Sequence, residues 1–126
     1  MGKVPFKRIL VVDDETDILV YVAKILRREN YEVNTTASGK EALEIAKRLL
    51  PDLLILDIML PDMSGDEVAT ALTEDPATAE IPIIFLTGII RKGEESEGLK
   101  SGKHYVLAKP ITSQELSKVV KQVFYG

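Results

Sequence analysis

"LLILDIMLPD" (53–62) runs four consecutive apolar residues straight into a carboxylate, Asp57, and turns apolar again at Ile58. An ionised group resists leaving water, so a carboxylate pressed against such a run needs a reason. The run itself reads as a strand buried on both faces, because it is short, uninterrupted and bounded by Pro51-Asp52 and Pro61-Asp62. Asp57 is then either the point where one strand surfaces or one of several polar residues ending strands at a common place. The rest of the chain decides between these.

Short apolar runs alternate with segments of helical period. "RILVV" (8–12) is the first strand, and Ile18, Leu19, Val22, Ile25 and Leu26 share one face of a helix over 15–29. "YEVNTT" (31–36) is a second strand. "SGKE" (38–41) reads as a capping box, with Ser38 accepting from the N3 amide and Glu41 reaching back. The helix it opens turns Ala42, Leu43, Ala46 and Leu50 inward and stops at Pro51. Ser64 or Gly65 opens a third helix, to about Thr73, and "IPIIFL" (81–86) and "YVLA" (105–108) are the last two strands. "TSQE" (112–115) is a second capping box, and its helix carries Leu116, Val119, Val120, Val123 and Phe124 on the core face. Residues 91–102 hold three glycines and one large apolar residue, so a helix there is expected to be short and loosely packed.

Strands alternating with helices imply a doubly wound five-stranded parallel sheet with helices on both faces, a flavodoxin-like α/β fold. Right-handed crossovers favour the order 2-1-3-4-5. Ligands in such folds bind beyond the carboxyl ends of the strands. Those ends are Asp13-Asp14, Asp57, Thr87 and Lys109, with the uncharged Asn34, Thr35 and Thr36 ending the edge strand. Four neighbouring strands therefore bring three carboxylates, a hydroxyl and an ammonium to one rim.

Clustered carboxylates repel one another unless a cation sits among them. Oxygen donors without His or Cys suit Mg²⁺, or Mn²⁺, over Zn²⁺. Lys109 and Thr87 are suited to hold further oxygens of a phosphoryl group bound there. Asp57, ending the central strand with neighbours on both sides, is the expected acceptor.

These residues carry a resemblance to the receiver domain of bacterial two-component response regulators, over nearly the whole chain. They are the acidic pair Asp13-Asp14, "DIMLPDMSG" (57–65), Thr87-Gly88 and Lys109-Pro110, with 30 positions from Asp57 to Thr87 and 22 from Thr87 to Lys109. The resemblance implies a single receiver domain over 1–126, phosphorylated on Asp57 by a sensor histidine kinase or phosphotransfer protein. It implies Mg²⁺ held by Asp14, Asp57 and the backbone carbonyl of Met59, with Asp13 acting through water, and Thr87 and Lys109 on phosphoryl oxygens. Pro61 and Gly65 would shape the loop after Asp57, and Pro110 would follow a cis peptide bond. Output would pass through the face formed by 91–102, the last strand and the last helix, to an effector, an output domain or a phosphorylation-dependent homodimer. Such a domain is no enzyme in its own right, although it assists its own phosphorylation and dephosphorylation. The family's switch aromatic falls at Val106 here; Tyr105 is one place earlier, on the opposite face by strand alternation.

Other classes fit less well. A pseudo-receiver, signalling by binding without phosphate, would have a damaged acidic pocket, and here every pocket residue is present. A phosphohydrolase of the haloacid dehalogenase type would need a second Asp where Met59 stands. A nucleotide- or flavin-binding fold would need glycines after the first strand, where "DDETDI" stands instead. The 126 residues have 16 basic and 20 acidic side chains, a net charge of −4, which gives no general attraction to nucleic acid or an anionic membrane. The absence of cysteine fits a reducing, cytoplasmic setting. His104, the one histidine, is expected at the surface before the last strand.

Overall fold

The computed structural model describes residues 6–88 and 104–126. Five parallel strands, β1 (Arg8–Val12), β2 (Glu32–Thr36), β3 (Leu53–Asp57), β4 (Ile83–Thr87) and β5 (His104–Ala108), form one sheet in the order β2-β1-β3-β4-β5. The described helices are α1 (Thr16–Arg28), α2 (Gly39–Leu49), α3 (Gly65–Glu74) and α4 (Ser113–Tyr125). The expected loose helix over 91–102 lies outside the described residues.

Strand alternation divides the core in two. Ile9, Val11, Leu53, Ile55, Ile84, Leu86 and Leu107 pack under α1 and α4, while Leu10, Val12, Leu54, Leu56 and Ile83 pack under α2 and α3. All five residues of β3 are buried, as a central strand covered on both faces requires. Each fully buried leucine or isoleucine contributes about 1.5–3 kcal/mol, so the sequence most apolar on both faces takes the centre.

Register then sets the rim. Val12 pairs with Leu56, so Asp13 comes level with Asp57. Asp57 pairs with Leu86 and Thr87 with Ala108, so Thr87 and Lys109 follow one step further out on successive strands.

The loop between β3 and α3 is closed tightly. Met59 bridges to Ser64, and the Gly65 N–H donates to the Ile58 carbonyl at 2.7 Å. A Cβ on Gly65 would stand 2.8 Å from both the Asp57 carbonyl oxygen and the Ile58 Cα, so only glycine fits this approach. Ser64 and Glu67 form a complete capping box that fixes the start of α3, and Thr112 and Glu115 form the expected one at α4.

At α2 the structure corrects the sequence reading. Ser38 accepts from the Glu41 N–H, but the Glu41 carboxylate takes the Thr36 hydroxyl instead of reaching back. The Ser38 N–H that a reciprocal cap would engage donates to the Thr36 hydroxyl oxygen at 3.3 Å. The β3–α3 loop covers the rest of the helix start, because Asp62 accepts from the Ser38 hydroxyl at 3.1 Å and from the Gly39 and Lys40 N–H groups at 2.9 Å each. Leu50, expected inside, is 52% exposed, since the chain leaves the helix there through a left-handed conformation (φ 48°) before Pro51.

The Asp62 interactions favour the charged carboxylate, the Gly39 N–H most and the Lys40 N–H next, and hold its pKa at about 2 against an ordinary 3.8. A depressed carboxylate pKa stabilises the fold above the unfolded value, and the contribution disappears as pH falls through the folded one. Asp62→Asn is therefore expected to melt below the wild type above pH 3.8, with the gap closing toward about pH 2. Thermal melts across that range check this; a gap independent of pH contradicts it.

Candidate functional site: the acidic rim

Asp13, Asp14 and Asp57 each offer a carboxylate oxygen within 4.8 Å of the others. Asp13 and Asp57 are buried and Asp14 is exposed, so the cluster opens outward past Asp14. Asp57 is held by both oxygens: Oδ1 accepts the Met59 N–H at 3.1 Å, and Oδ2 accepts from Lys109 Nζ at 3.3 Å. Lys109 Nζ also lies 3.0 Å from Asp13 Oδ2, as an ion pair without hydrogen-bond geometry, and 2.8 Å from Glu15 Oε1. Asp13 Oδ1 accepts the Glu15 N–H at 2.9 Å.

Burial pushes the Asp13 carboxyl above its ordinary range; the Glu15 N–H and the Lys109 ammonium draw it down, and the Asp57 charge adds to the rise. Burial also works against the Lys109 charge. The contacts with Glu15 and Asp13, with the charges of Asp13 and Asp57, outweigh it and raise the lysine pKa. The ammonium therefore stays charged at neutral pH.

Thr87 is buried at the end of β4, and its carbonyl accepts the Lys109 N–H at 2.8 Å. The Lys109-Pro110 peptide bond is cis, as the resemblance implied. Met59 is 66% exposed beside the cluster. Every residue expected at the rim thus lies at the carboxyl end of the sheet.

A sequence model of the response regulator receiver domain matches residues 9–121. The chain belongs to the response regulator receiver domain family. The receiver is 45% identical over 105 residues to the response regulator PleD of Caulobacter vibrioides, covering 82% of this chain and 23% of that protein. It is 43% identical over 117 residues to the phosphate regulon transcriptional regulatory protein PhoB of Rhizobium meliloti, covering 90% of this chain and 50% of that one. The chain thus spans half or less of these relatives. Among solved structures, the chemotaxis response regulator CheY4 of Vibrio cholerae superposes with a TM-score of 0.83 at 32% identity, over 94% of this chain and 99% of that one. Receiver domains of response regulators act in two-component signalling. Among the described residues, no helix is long and apolar enough to cross a membrane.

Two features of the receiver differ from, or extend, the sequence reading. His104, expected at the surface, is only partly exposed: it starts β5 half-buried, stacked edge-on against Phe85 at 5.6 Å, because alternation turns it to the same face as Val106. Tyr105 turns the other way, onto the cluster beneath α1 and α4. Glu15 was not singled out, although an acidic residue directly after the Asp13-Asp14 pair was the available signal. Its bond to Lys109 spans 94 positions and has no local signature.

Proposed function

We propose that this chain is a phosphorylation-switched receiver in which Asp57 accepts a phosphoryl group from a sensor histidine kinase or phosphotransfer protein. The observation that carries this is the Asp57 carboxylate, set among two further aspartates and 3.3 Å from the Lys109 ammonium. An Asp57 oxygen attacks phosphorus, the new O–P bond forms as the donor's bond to phosphorus breaks, and the leaving group departs with that electron pair. No proton need move. Lys109 and the Thr87 hydroxyl take charge developing on the transferring oxygens.

The donor set fits Mg²⁺: three hard carboxylates converge with no nitrogen or sulfur ligand among them. Asp14, Asp57 and the Met59 carbonyl would hold the ion directly and Asp13 through water; when bound, it supplies charge neutralisation on the phosphoryl oxygens. We further propose that 1–126 form one domain, that it works in the cytoplasm, and that 91–102, β5 and α4 carry the signal to an effector, output domain or second copy. Incubation with acetyl phosphate and Mg²⁺ followed by intact-protein mass spectrometry tests the reading. A single phosphoryl increment, absent without the metal, is expected, and no increment refutes it.

The lifetime of the acyl phosphate depends on water. Its loss requires a water oxygen to attack phosphorus while the bond to Asp57 breaks, leaving inorganic phosphate and the free carboxylate. Met59 stands exposed at the mouth with no group to orient that water. Ile89, expected to add apolar cover, lies outside the described residues. Met59→Asn or Met59→Gln is expected to speed phosphate loss by about tenfold, the order of a positioning effect. Unchanged decay in both variants, followed in Mg²⁺, contradicts this.

A further inference from the structure

We propose that Glu15 is a positioning residue that holds the Lys109 ammonium back from Asp57 and so restrains phosphorylation. The inference rests on the reading of Asp57 as the acceptor.

Three carboxylates converge on the one ammonium. Glu15 Oε1 is nearest at 2.8 Å, Asp13 Oδ2 follows at 3.0 Å, and Asp57 Oδ2 is farthest at 3.3 Å. An ammonium has three protons; two go to Glu15 and Asp57 in hydrogen bonds and the Asp13 charge lies beside it, so Glu15 holds a proton that a phosphoryl oxygen would need. Glu15 stands outside the aspartate cluster, and its side chain is 61% exposed where that of Lys109 is 16%. A cation taken up by Asp13 and Asp57 would compete for their oxygens and leave Glu15 as the undiminished partner of the lysine.

Among the described residues, the Glu15 side chain bonds to Lys109 and to no other group. Glu15 is the N-cap residue of α1, yet its side chain makes no capping bond. Glutamate is not among the residues preferred there, so capping gives no reason for it, and its charge adds only a modest interaction with the helix dipole. Its backbone is fixed all the same: the N–H donates to Asp13 Oδ1 at 2.9 Å, and the carbonyl accepts from the Ile18 and Leu19 N–H groups at 3.1 and 3.2 Å. The carboxylate is thus presented to the end of β5 from a rigid anchor. Phosphorylation replaces a singly charged carboxylate by a more negative acyl phosphate close to Glu15. Competition for the lysine and repulsion of the phosphoryl group act in the same direction.

Glu15→Gln removes the charge and keeps the shape. With saturating Mg²⁺, phosphorylation by acetyl phosphate, followed by intact-protein mass spectrometry, is expected to run about two- to fivefold faster, the range for a partly exposed ion pair. Affinity for beryllofluoride, measured by calorimetry, should rise by a similar factor, and Mg²⁺ affinity measured without it should change less. The gain should shrink at about 1 M salt, where exposed charges are screened. Glu15→Ala should move in the same direction as Glu15→Gln. Equal or slower phosphorylation of Glu15→Gln overturns the proposal, as does a slowing seen only with Glu15→Ala, which marks a structural prop. If the wild type itself takes neither acetyl phosphate's phosphoryl group nor beryllofluoride, the proposed function falls and this inference with it.

Discussion

Asp57→Asn is expected to abolish the phosphoryl mass increment completely while the protein stays folded. The change removes the nucleophile, because an amide oxygen is a far weaker attacking group than a carboxylate, and it removes one of the three charges that would hold the ion. It leaves the packing intact, since asparagine has nearly the same volume. Oδ1 still accepts from the Met59 N–H, and an amide oriented that way turns its NH₂ toward Lys109 in place of Oδ2. One favourable ion-pair contact is lost and a donor faces a donor. Lys109 keeps Glu15 at 2.8 Å and Asp13 at 3.0 Å, so the ammonium is not stranded. The expected penalty is therefore modest, and the melting transition should remain cooperative. Stable phosphorylation of the unmutated protein at another residue would show that the central aspartate is not the acceptor.

How much of this was legible in the sequence depends on how local each signal is. β1 ends where its apolar run ends, and β3 extends one residue further, to Asp57 itself. Asp13, Thr87 and Lys109 were legible for the same reason, since each directly follows a short apolar run that reads as a strand, and Asp14 comes next after Asp13. The opposite facing of Tyr105 and Val106 follows from the pleat alone. What was not legible is what distant side chains do to one another. Glu41 had the right spacing for a reciprocal cap, but Thr36 offered its carboxylate a nearer hydroxyl and Asp62 took over the helix start. No pattern within 38–41 can announce a carboxylate arriving from position 62. Leu50 has helical spacing, yet the proline after it diverts the backbone. Glu15 resembled an ordinary acidic residue at a helix start until the fold brought Lys109 to it.

Asp14→Ala is expected to reverse the order of stability between metal-free and Mg²⁺-loaded protein. Among the described residues, no ion pair reaches Asp14, whereas Asp13 and Asp57 share Lys109. Asp14 thus brings an unpaired negative charge to a cluster of three, all within 4.8 Å. Removing it relieves repulsion, and its exposure means that little packing is lost, so the metal-free variant should melt slightly above the wild type. With Mg²⁺ the sign changes, because the variant lacks a direct ligand. An ion present at 100 times its dissociation constant stabilises a fold by about 2.7 kcal/mol, and one whose affinity has fallen a hundredfold retains only about 0.4 kcal/mol at the same concentration. That difference exceeds any relief of repulsion between partly solvated charges, which is on the order of 1 kcal/mol or less. Paired melts with chelator and with excess Mg²⁺ should therefore cross: variant above wild type in the first, below it in the second. An equal Mg²⁺-induced shift in both proteins would mean that the ion binds without Asp14, and the acidic rim would then need another explanation for holding three carboxylates together.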